Sequence, residues 1–136
     1  MGLAERRAAK QFETNRFPAL TKELHGAAGF EVPLEVHWDA IATEGNSHLY
    51  DECWPQVYFQ PLIAAFKDIA SDDMGKEALK GALKKVVVHN TSDISYAGRM
   101  VKFESGVLTI DHAPTTNAHQ VDERSRAIRE TLEKSL

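Results

Sequence analysis

Arg99-Met100-Val101-Lys102-Phe103-Glu104-Ser105-Gly106-Val107-Leu108-Thr109-Ile110-Asp111-His112 is the stretch whose reading decides the fold. Ser105-Gly106 suits a two-residue hairpin turn, because glycine adopts the positive φ that such turns require. With that turn, Phe103 pairs with Leu108 and Val101 with Ile110, so four apolar side chains share one face. Lys102 then opposes Thr109, and Met100 opposes Asp111, on a face left to solvent or to a partner. His112 falls on the apolar side, opposite Arg99, and Pro114 ends the hairpin.

Working outward, Val86-Val87-Val88 opens another strand, followed by a polar loop to Gly98. Phe30 to Ile41 alternates, with Val32, Leu34, Val36 and Trp38 on one side and Glu35, His37 and Asp39 on the other, which predicts a half-buried strand. Residues 3 to 26 carry helix formers with Ala8, Phe12, Leu20 and Leu24 on one face; Pro18 kinks this helix or starts its second half, and Gly26 is the expected C-cap. Leu49 to Ala70 reads as two helical pieces meeting near Pro61, with Leu62, Phe66 and Ile69 inward. Ser71-Asp72-Asp73 starts a short helix that buries Leu79 and Leu83. The last helix carries a narrow stripe, Val121, Ser125, Ile128 and Leu132, and Asn117 with Gln120 resembles a capping box; the thin stripe places it at the edge of the core. The sum is an α+β domain: a roughly four-stranded, mostly antiparallel sheet containing the 99–112 β-hairpin, with four to five helices chiefly on one face and the other face open.

A chain of 136 residues without repeats or linkers fits one globular domain over 1–136, long enough to bury a core without disulfides or a structural metal. Hydrophobic content of 43% and charged content of 26% are ordinary for a globular protein. A net charge of -4 with scattered cations argues against nucleic acid as a partner, since phosphate tracking needs clustered Lys and Arg. No apolar run reaches membrane-spanning length, so no membrane partner is expected. One cysteine, Cys53, and charge at Glu5-Arg6-Arg7, where a signal peptide would begin its apolar stretch, point to the cytoplasm.

Three of the six histidines sit late in, or just after, expected strands: His37, His89 and His112. Imidazole with carboxylate is the ligand set of zinc and similar metals, so His37, Asp39, His89 and Asp111 form the candidate binding set. Their spacing follows no metal signature, and the plainer reading is polar residues at strand ends, satisfied by water or backbone. Cys53 with His48 makes a poor nucleophile–base pair, because five residues on a helix point about 140° apart. A buried Cys53 beside Trp54 fits better, and Trp54, Tyr58, Phe59 and Phe66 read as core. No phosphate-binding glycine loop, nucleophile elbow or paired-cysteine site is present.

The expectation is therefore a non-enzymatic protein- or ligand-binding domain with no cofactor, its partner a protein or a second copy of itself docked through the open sheet face. The alternative is a small metal-dependent, hydrolase-like enzyme or metal-binding protein, with a divalent metal held by His37, Asp39, His89 and Asp111.

Overall fold

Four strands, β1 (Leu34–Val36), β2 (Lys85–His89), β3 (Val101–Glu104) and β4 (Val107–Asp111), form one sheet in the order β1-β2-β4-β3 in the computed structural model, which describes residues 2–136. The hairpin has the register its sequence predicts, with Val101 opposite Ile110, Lys102 opposite Thr109 and Phe103 opposite Leu108. Ser105 (φ 51°) and Gly106 (φ 82°) make a turn whose twist matches the flanking strands.

The sheet is mixed and mostly parallel, not mostly antiparallel. β1 pairs parallel with β2 and β2 parallel with β4, leaving β3–β4 as the antiparallel pair. The reason is long-range: the β1-to-β2 connection crosses over through helices, as parallel neighbours require. It is then the return strand of the hairpin, β4, that docks against β2.

The helices are α1 (Leu3–Asn15), α2 (Phe17–Ala28), α3 (Trp38–Ile41), α4 (Tyr50–Trp54), α5 (Gln60–Ile69), α6 (Asp73–Ala82) and α7 (Val121–Glu133). A π turn over Pro55–Phe59 joins α4 to α5. Counted as one, these two leave six helical segments among the described residues, where four to five were expected. Pro18 lies in the first turn of α2, where its missing N–H costs nothing, and the break from α1 falls at Arg16. α2 continues through Gly26 and is capped by Gly29 instead. The expected capping box at α7 is absent: Asn117 stands at φ 53° and donates its side-chain amide to Ser95 O at 2.6 Å.

Leu34, Val36, Val86, Val88, Leu108 and Ile110 point from one sheet face into a core shared with Phe12, Leu62, Phe66 and Leu79. Trp54 is fully buried, stacked on Tyr50 at 4.3 Å and edge-on to Phe12 at 5.0 Å, so the aromatic cluster is core. The buried hydroxyls of Tyr50 and Tyr58 donate to Thr43 O (2.8 Å) and His112 O (2.6 Å), as buried polar groups require. α7 lies in the core, not at its edge: Ile128 and Leu132 are fully buried. Arg124, one turn before Ile128 and outside the expected stripe, is also 0% exposed. Its guanidinium donates to Asn117 O (2.8 Å), Ala118 O (2.6 Å) and Gln56 O (3.4 Å), tying the loop before α7 to the π turn. Burial lowers its pKa, and it makes no ion pair among the described residues.

The opposite sheet face carries Glu35, Lys85, Lys102, Glu104, Thr109 and Asp111, all exposed or half-buried. No helix among the described residues is long and apolar enough to cross a membrane.

Candidate functional site

Because β1, β2 and β4 run parallel, their C-terminal ends lie along one edge of the open face. His37 follows β1 immediately, His89 ends β2 and Asp111 ends β4. The backbone N–H of His37 donates to Val88 O at 2.9 Å, which extends the sheet ladder by one residue and sets this side chain beside β2. A run of three valines carries no alternation that would set the facing of His89. Its register opposite Asp111 places it outward, in step with Lys85 and Val87.

The ring centroids of His37 and His89 are 5.6 Å apart and nearly perpendicular. Each imidazole has its own carboxylate. His37 Nε2 lies 2.7 Å from Glu35 Oε2, and Lys85 Nζ reaches Glu35 Oε1 at 3.1 Å. The hydrogen bond from His37, then the one from Lys85, hold the Glu35 carboxyl below the usual carboxylate range. His89 Nε2 lies 3.6 Å from Asp111 Oδ2. Asp111 is fixed in turn by Thr91, whose N–H donates to Oδ1 at 2.9 Å and whose hydroxyl donates to Oδ2.

Three of the four candidate residues therefore converge, and Asp39 does not. β1 stops at Val36 and the chain turns into α3, so a helical period replaces the two-residue alternation that put Asp39 on the outer sheet face. Asp39 lines two open depressions, one with Glu35 and His37 and one with Arg6, Lys10 and Glu13 of α1, and neither includes His89 or Asp111. The convergence pairs groups two by two, and among the described residues no set of three or more His, Cys, Asp or Glu could hold a metal ion. Cys53 is buried, and burial followed by the Glu52 charge pushes its thiol up, which disfavours the thiolate a nucleophile needs.

Beside His89 the end of β4 and the start of β3 enclose a cleft of about 350 Å³, lined by His89, Arg99, Lys102, Thr109 and Asp111 over Met100. Met100 was expected on the solvated face. A short 3₁₀ turn over Ala97–Arg99 precedes β3, and Met100 is buried at the cleft floor. Arg99, Lys102 and Thr109 lie outside the candidate set read from sequence. The signal for two of them was the hairpin register, which sets Lys102 across from Thr109 on the face of Asp111. A larger depression of about 490 Å³ lies between α2 and α5, but Glu23 and Lys67 are its only charged lining groups among the described residues, and no histidine or hydroxyl cluster joins them. The smaller cleft is the better chemical candidate, because its polar groups converge from separate strands.

Protein-family models, curated proteins and solved structures were each compared with the chain, and none matches it.

Proposed function

We propose that this chain is a non-enzymatic binding domain that seats a small anionic ligand on the open face of its sheet, at the C-terminal edge of β1, β2 and β4. The observation that carries the reading is a cleft lined from separate elements by Arg99, Lys102, His89 and Thr109, which bring a guanidinium, an ammonium, an imidazole and a hydroxyl to it beside the Asp111 carboxylate. Open sheets with parallel strands hold ligands beyond the carboxyl ends of those strands, and pockets with several convergent polar groups of unlike type are the usual binding sites. The two hydrogen bonds from Thr91 support it by fixing Asp111 at the cleft before any ligand arrives. Titrating isotope-labelled protein with a panel of small carboxylates, phosphates and sulfates at constant ionic strength tests the proposal. Saturable amide shifts confined to residues 89–91, 99–102 and 109–111 are expected. Shifts scattered over the surface, or none with any anion, would overturn it.

A second copy of the chain is the competing occupant of the same face. It is favoured by the mixture of signs there, with Glu35 against Lys85 and Lys102 beside Glu104, which can complement itself about a two-fold axis. Solution mass by light scattering at high concentration decides: a dimer abolished by charge reversal at Lys85 and Lys102 supports that reading, and a strict monomer removes it. The cytoplasm is the compartment we infer, on the strength of a single buried cysteine that forms no disulfide.

A further inference from the structure

We infer that the cleft beside His89 takes a phosphoryl group, and that its ligand is a small phosphate monoester. The inference rests on the proposed reading of the open face and names the ligand class for it.

The argument is one of donor count and geometry. A carboxylate has two oxygens in one plane. A phosphate monoester presents three terminal oxygens in a tetrahedron and about two negative charges near neutral pH. The donors that line the cleft are carried on separate elements: Arg99 on the turn before β3, Lys102 on β3 with Thr109 opposite it on β4, and His89 at the end of β2. A guanidinium presents a planar fork suited to two oxygens of one phosphate, and an ammonium acts as a compact charge for the third. Arg99 makes no ion pair among the described residues, so its fork is free for a ligand. Lys102 contacts Glu104 at 3.5 Å, but both side chains are about 70% exposed (68% and 71%), and such exposed pairs yield readily to a better partner.

Asp111 is the group that opposes an anion here. Thr91 N–H donates to its Oδ1 and the Thr91 hydroxyl to its Oδ2, so both oxygens already have a donor from outside the cleft lining, and its single charge is outnumbered there by the two cations Arg99 and Lys102. A volume of about 350 Å³ admits the phosphate with a body of a few heavy atoms, and Met100 supplies an apolar floor for that body. A polynucleotide would need a longer run of cations than Arg99 and Lys102 provide.

The test uses the full chain, titrated with glycerol 2-phosphate, inorganic phosphate and acetate at matched pH and ionic strength. Amide shifts report the site, and calorimetry reports affinity. Expected are saturable binding of glycerol 2-phosphate, at least tenfold weaker binding of acetate, and at least a tenfold loss for both Arg99→Ala and Lys102→Ala. Arg99 and Lys102 are exposed, and unchanged melting curves for the variants show that they fold. Thr109→Val, which keeps shape and removes the hydroxyl, is expected to weaken phosphate more than acetate. Acetate bound as tightly as the phosphates at the cleft residues overturns the phosphoryl assignment while leaving an anion site standing. Binding of no probe at those residues overturns both. Phosphate binding that Arg99→Ala leaves intact overturns the assignment of this cleft.

Discussion

Replacing Arg124 by alanine is expected to be among the costliest single changes outside the apolar core. The side chain is fully buried and donates to the carbonyls of Asn117 (2.8 Å) and Ala118 (2.6 Å), with a longer contact to Gln56 O at 3.4 Å. Each buried carbonyl left without a donor costs about 1–3 kcal/mol. Two strong acceptors and a cavity the length of an arginine stem add to a larger sum, but the variant also escapes the cost of holding a cation away from water, so about 3–5 kcal/mol is the net expectation. For a chain of this size that lowers Tm by roughly 9–15 °C. Arg124→Met separates the terms, since it keeps most of the volume and supplies no donor; about 2 kcal/mol should still be lost. Urea unfolding measures the free energies, and hydrogen exchange at residues 113–121 should accelerate in both variants. If Arg124→Met unfolds within about 0.5 kcal/mol of the parent, the carbonyls do not depend on the guanidinium and the reasoning fails.

Three further outcomes are expected. His112 is fully buried, and burial, with Arg124 nearby, depresses its pKa, so the folded state keeps it neutral while the unfolded chain takes up a proton near pH 6.5; stability is full above that pH and falls below it, by at most about 1.4 kcal/mol per pH unit, and equal pH slopes between 5 and 6.5 for parent and His112→Gln would refute this. Gly75→Ala should cost about 1–3 kcal/mol or more, because the added Cβ would stand 1.9 Å from Ile69 O at the end of α5; unchanged urea unfolding would show that the α5–α6 corner gives way freely. Cys53 should react with a thiol reagent only at the rate of global opening, given its burial and raised pKa, and fast labelling of native protein at neutral pH would contradict both.

Local features of the fold were legible because local physics determines them. The 101–110 register follows from a Ser-Gly turn and the need to keep four apolar side chains on one face, and the structure has it. Partner choice between strands was not legible. Either hairpin strand could have docked on β2, since both carry the same apolar face, and it is β4 that does, which makes the sheet mostly parallel. The same division holds at the site. His37, His89 and Asp111 share an edge because alternation along their strands puts them outward, but Asp39 falls out of that set because β1 ends at Val36, short of its expected end at Ile41, and the chain enters α3. Arg99 could be reached only through the turn before β3, whose geometry no pattern in Ala97-Gly98-Arg99 announces. Arg124 lay outside the expected stripe of Val121, Ser125, Ile128 and Leu132, because an arginine beside such a stripe reads as a solvated residue until the carbonyls around it are known.

The most direct measurement is a crystal structure of the full chain grown with glycerol 2-phosphate. The account expects the phosphate in the cleft of the open sheet face, within hydrogen-bonding distance of Arg99 and Lys102, with Met100 beneath the glycerol carbons. A phosphate seated anywhere else, or a cleft filled by a neighbouring copy of the chain at every concentration tried, would contradict it.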